Sequence, residues 1–94
     1  MTDVLAALRA RFLERCAGDV VRLEDLLARD DLGAEALSSL VHSLSGAAGS
    51  FGFPEISLAA GAADDAFAAG GTPSPDEIHH LIRTLEAALV TPEG

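Results

Sequence analysis

Apolar residues in this chain recur every three or four positions almost from end to end, and nowhere do they alternate as a half-buried strand requires. That spacing restricts the fold to packed helices. Leu5, Leu8 and Phe12, then Val20, Leu23 and Leu27, lie on one stripe with Arg and Glu between them. The stripe describes one amphipathic helix or two joined at Gly18. Because Asp19 directly after the glycine is a good capping residue, the stripe is split there into a short N-terminal helix and a second one. The period lapses at Arg29-Asp30-Asp31-Leu32-Gly33.

A third stripe runs from Ala34 to Phe51, with Leu37, Leu40, Val41, Leu44, Ala48 and Phe51 on one face. Gly52-Phe53-Pro54 ends it and starts the next helix, since glycine accepts a left-handed cap and proline suits a first helical turn. That next helix should bury Ile56, Ala59 or Ala60, Ala63 and Phe67, and leave Asp64 and Asp65 facing water. Gly70-Gly71-Thr72-Pro73 is another break, followed by the capping box Ser74-Pro75-Asp76-Glu77. The final helix presents Ile78, Leu81 or Ile82, Leu85 and Leu89, and Thr91-Pro92 stops it. Short links between consecutive amphipathic helices imply an all-α, antiparallel up-and-down four-helix bundle with a short additional N-terminal helix, in one domain over 1–94.

Charge narrows the partners. Fifteen acidic residues against six basic ones give a net charge of −9, which repels a nucleic-acid backbone and an anionic membrane alike. All six basic residues are arginines (9, 11, 15, 22, 29 and 83), and none sits in a run. Cys16 has no second cysteine to pair with, so a reducing compartment fits. Charged or polar residues interrupt every apolar stretch before the roughly 18 residues of a membrane span, and Met1-Thr2-Asp3 lacks a basic leader. A monomer in the cytoplasm is the expectation.

The chemically informative residue lies opposite the apolar stripe of the third segment. His42 has Ser38 and Ser39 one turn before it, Ser45 and Gly46 one turn after, and Gly49 two turns after. Solvated helix faces ordinarily carry long polar side chains, and each mid-helix glycine costs about 1 kcal/mol relative to alanine. Two readings account for such a strip. It is either a cleared landing zone through which a partner reaches an exposed imidazole, or a seam where small residues admit a neighbouring helix and His42 is hydrogen-bonded within it.

The segment His42-Ser43-Leu44-Ser45-Gly46-Ala47-Ala48-Gly49-Ser50-Phe51-Gly52 resembles the signature of histidine-containing phosphotransfer (HPt) domains: a histidine, an apolar residue two on, lysine-glycine, small residues, then an apolar residue and glycine. Ala36 to Val41 before it and Phe53-Pro54-Glu55-Ile56 after it also fit. The resemblance implies a phosphorelay intermediate. In it, His42 takes a phosphoryl group from the aspartyl phosphate of one response-regulator receiver domain, such as that of a hybrid histidine kinase, and passes it to another. Ser38, Ser39, Ser45, Gly46 and Gly49 would form the phosphoryl and partner environment. The receiver would bring Mg²⁺, an acidic pocket and its own lysine, so this chain would need no cofactor and no metal, and it would be no enzyme in its own right. No Gly-rich phosphate loop or kinase motif occurs.

The chain departs from the pattern where the family usually has lysine, three residues after the histidine, and Ser45 stands here. A serine donates a hydrogen bond to a phosphoryl oxygen but supplies no charge. Arg22 and Arg29 are candidates for the missing cation, although a solvated face is the simpler account of both. Without that lysine, an acidic receiver should dock mainly through apolar and shape contacts, with weak salt dependence. A degenerate HPt domain that binds a receiver without passing phosphate is the alternative.

Other polar residues read more plainly. His79 and His80 point about 100° apart on a helix and are surface residues, not a metal pair. Cys16 is a small core residue. Asp30-Asp31 and Asp64-Asp65 are solvated acids, and Phe51 and Phe53 are core and rim. An acyl carrier would share the size and acidity but wants Asp-Ser-Leu at a helix start, whereas Leu37-Ser38-Ser39-Leu40 lies within a helix with no Asp before it.

Overall fold

The computed structural model describes residues 3–90, and all its regular structure is helical. Helix α1 spans Asp3–Ala28, α2 Glu35–Phe51, α3 Pro54–Ala68 and α4 Pro75–Val90. The split at Gly18 is overturned. Val20, Leu23 and Leu26 continue the buried stripe of Phe12 and Cys16 past the glycine, so the helix loses more by stopping there than it loses to one glycine's propensity. No separate N-terminal helix forms among the described residues, and Asp19, expected as a cap, is an interior helical residue.

The other punctuation behaves as read. Gly52 adopts φ +85° and closes α2, its neighbour Phe53 donating to the Ala48 carbonyl at 2.8 Å, and Pro54 opens α3. A Cβ at Gly52 would also come within 2.7 Å of an Arg9 Nη2, the far end of a flexible side chain that can move aside, so it is the left-handed backbone that calls for glycine. Ser74 and Glu77 form a reciprocal capping box: Ser74 N–H donates to Glu77 Oε1 at 2.9 Å, and Glu77 N–H donates to Ser74 Oγ at 3.1 Å. The expected stop at Thr91-Pro92 lies outside the described residues.

Each helix touches two others: α1 and α3 both pack on α2 and on α4, and no diagonal pair meets. The core between them is aliphatic. Leu23, Leu37, Leu44, Ile56, Ile78, Leu81 and Leu85 are fully buried or nearly so, and the one aromatic cluster sets Phe12 against Phe51 and Phe53 with centroids 5.6 and 5.2 Å away. At about 1.5 Å per residue, the 26 residues of α1 account for most of the 43 Å long axis, so α1 outruns the 15 to 17 residues of its neighbours. Its first turns therefore leave Val4, Leu5 and Leu8 exposed, although the last two belong to the stripe read as core. Among the described residues no helix is long and apolar enough to cross a membrane.

Candidate functional site

Because Leu37, Leu40, Val41 and Leu44 turn the apolar face of α2 inward, His42 is carried outward, and its side chain is 79% exposed. It is not free to swing. Nδ1 lies 3.1 Å from Oδ2 of Asp64 on α3, a carboxylate that is itself only 29% exposed. A neutral imidazole held this way carries its proton on Nδ1, donates it to the carboxylate, and presents the Nε2 lone pair to solvent. The arrangement makes Nε2 a positioned nucleophile, with a negative charge placed to stabilise the positive charge the ring gains as a bond forms.

Asp64 corrects the expectation that it faces water. The alanines and glycine of α3 draw that helix close to α2, and the paired contacts show how close. A Cβ on Gly49 would meet Ser57 Oγ at 3.5 Å, and one on Gly61 would meet Ser45 Oγ at 3.4 Å. At that separation an aspartate one turn beyond Gly61 reaches across the seam. Asp65 stays exposed.

The small-residue strip divides among three environments. Ser45 and Gly49 line the α2–α3 seam, where Ser45 Oγ donates to the Ser57 carbonyl at 3.3 Å and Ser57 Oγ donates to the Ser45 carbonyl at 3.0 Å. The Ser45 hydroxyl is thus already engaged and half-buried, which weakens its expected role at a phosphoryl oxygen. Gly46 differs: it is exposed, and a Cβ there would meet nothing within 4 Å. Among the described residues no neighbour requires its smallness. Ser38 is half-buried, and Ser39 lines a groove between α1 and α2 with Glu14, Arg15, Gly18, Asp19, Arg22, Ala36 and Leu40. The seam reading therefore describes Ser45 and Gly49, while Gly46 lies open on the face that carries His42.

The arginine nearest the strip is one the sequence did not single out. Arg15 donates through Nη2 to Ser43 Oγ at 3.0 Å and through Nε to Asp19 Oδ2 at 3.3 Å. Of the two arginines considered from sequence, Arg29 pairs with exposed Asp25 in solvent and Arg22 lines the α1–α2 groove. Among the described residues Asp19 is the buried charged one, 5% exposed, and burial pushes its carboxyl above the ordinary range against the pull of Arg15 and Arg22. Cys16, fully buried beside it, has its thiol pushed up to about 11, chiefly by burial and secondly by Asp19, which makes it unreactive. His79 and His80 are exposed on α4, and no group of three or more potential metal ligands converges among the described residues.

No curated protein and no solved structure matches the chain significantly. The family model for the Hpt domain matches residues 7–91, nearly the whole chain and all four helices, with His42 at the centre of the matched α2. With its histidine on an outward helix face of a four-helix fold, this chain belongs to the Hpt domain family.

Proposed function

We propose that the protein is a histidine phosphotransfer intermediate of a multistep phosphorelay, with His42 as the phosphorylated residue and receiver domains as donor and acceptor. Hpt domains as a family serve phosphorelays and interact with receivers. The observation that carries the reading to His42 is its exposed imidazole, held at Nδ1 by Asp64 so that Nε2 points outward. In the forward step Nε2 attacks phosphorus, the bond from phosphorus to the aspartyl oxygen breaks, and the receiver's carboxylate departs with the electron pair. The Nδ1 proton stays shared with Asp64. Transfer to the second receiver reverses each bond change, and a Mg²⁺ held by the receiver would supply the screening of phosphoryl charge that this chain does not. The chain then acts as carrier rather than enzyme and works as a single domain. Its links run as an antiparallel up-and-down course, supported by the pairings of Arg9 with Phe51 and Arg15 with Ser43, then of Ser45 with Ser57 and His42 with Asp64.

Incubation with a receiver phosphorylated at its aspartate should leave an acid-labile, base-stable phosphoryl group on the wild type and none on His42→Gln. Labelling of His42→Gln would overturn the assignment.

Ser45 favours a second reading. With no cation at that position and its hydroxyl donated to Ser57, the same face serves a receiver-docking bundle that moves no phosphate. That protein would bind receivers equally well as His42→Gln and would never become labelled.

A further inference from the structure

Asp19 is not needed for the chemistry at His42, yet the fold keeps its carboxylate buried, which is costly unless the group holds something in place. What it holds is cationic. Arg15, Asp19 and Arg22 stand at four- and three-residue spacing and so share one face of α1, and that face lines the groove of about 550 Å³ against Ser39 and Leu40 of α2. Asp19 accepts from Arg15 Nε, Ser43 accepts from Arg15 Nη2, and these two contacts use two of the five guanidinium donors. The arginine is thereby fixed over the residue next to His42 with its remaining donors unspent. A guanidinium so held loses little side-chain entropy when it grips a carboxylate or phosphoryl group, which a flexible surface lysine would not match.

The charge distribution supplies the partner's chemistry. A chain of net charge −9 repels an acidic domain as a whole, so an acidic partner can approach only where cations are concentrated. Five of the six arginines lie between positions 9 and 29, where four acids leave a net charge of +1 against −10 for the rest of the chain, and α3 brings only acids. His42 stands between these flanks. We infer that the α1–α2 groove is a docking rail for an acidic protein surface, with Arg15 and Arg22 gripping carboxylates around the phosphoryl-bearing pocket of a receiver. The inference rests on the proposed relay for the identity of the partner. It reverses the weak salt dependence expected from the missing lysine, because the rail places its cations on α1 instead of beside the histidine on α2.

The test measures affinity for a set of acidic receiver domains at about 50 mM and about 500 mM salt, and scores phosphoryl label on His42 separately. Wild-type affinity should fall about tenfold or more across that range. Arg22→Gln should bind about three- to tenfold more weakly at low salt, with a shallower salt dependence. Arg15→Gln combined with Asp19→Asn leaves no unpartnered buried carboxylate and should behave likewise while remaining folded by circular dichroism. Glu14→Gln, which removes the acid on the rim of the same groove, should tighten binding. Salt-independent wild-type binding, or unchanged affinity in both arginine variants, overturns the rail even if His42 is labelled. Arginine-dependent binding without label sustains the rail and overturns the relay. A wild type that binds none of the receivers overturns both.

Discussion

Along its α3 side, α2 meets Ser57, Gly61 and Asp64 at contact distance, whereas along its α1 side it faces Arg15 and Arg22 across a groove. The first flank is made of small residues and reciprocal serine bonds, and its product is a fixed imidazole. On the second flank, Arg15 is braced by the buried carboxylate of Asp19, Arg22 lines the same groove, and space remains between the helices. An exposed nucleophile needs both properties, because the ring must be oriented before a partner arrives and the partner needs somewhere to rest. In the proposed relay the two requirements fall to different helices.

The close flank is the easier to break. Ala60 is fully buried on α3, and Ala60→Leu forces extra volume into a packed core, costing about 1–3 kcal/mol in urea unfolding. Displacement of α3 also takes Asp64 from His42, so ¹⁵N spectra should show the imidazole leaving the Nδ1–H form. A variant that lost stability but kept that tautomer would mean Asp64 does not set it. Gly46→Ala should do the opposite, raising stability by about 1 kcal/mol since its Cβ meets nothing, yet slowing phosphoryl transfer from a receiver. Gly61→Ala should gain less than Gly46→Ala, because its Cβ meets Ser45 Oγ at 3.4 Å. Equal gains would erase the distinction between seam and open face. Ser57→Ala removes one half of the reciprocal bond and should cost about 0.5–1 kcal/mol, read from the same unfolding curves.

Helical period and glycine-proline punctuation made α2, α3 and α4 legible, and so did the capping box at Ser74, because these are local signals set within a turn or two. His42 was legible for the same reason: a histidine opposite a clean apolar stripe has to point outward. Asp64 was not, since its approach to His42 depends on how near alanine and glycine let α3 come, a distance that no local spacing encodes. Arg15 was missed through a single error at Gly18. Once the stripe is cut there, Asp19 becomes a cap at the start of a new helix, and the four-residue step from Arg15 to Asp19 within one continuous helix disappears from view. Leu5 and Leu8 fail in the other direction: the period places them on the core face, but α1 extends past the helices that would cover them.

The open flank carries a pH signature at Asp19. Burial raises the Asp19 carboxyl above its ordinary value of 3.8, so in the folded state it holds its proton to higher pH than in the unfolded chain. Between those two values the folded form binds more protons, and stability therefore falls as pH rises. The contribution is fully present below the unfolded value and is lost as pH passes through the raised folded one. Asp19→Asn keeps an oxygen for Arg15 and removes the titration. Thermal midpoints from pH 3 to pH 7 should show the variant gaining on the wild type as pH rises through the window just above the ordinary carboxylate range. A constant difference would mean that Arg15 and Arg22 offset the burial completely, and that Asp19 is held charged at no cost to the fold.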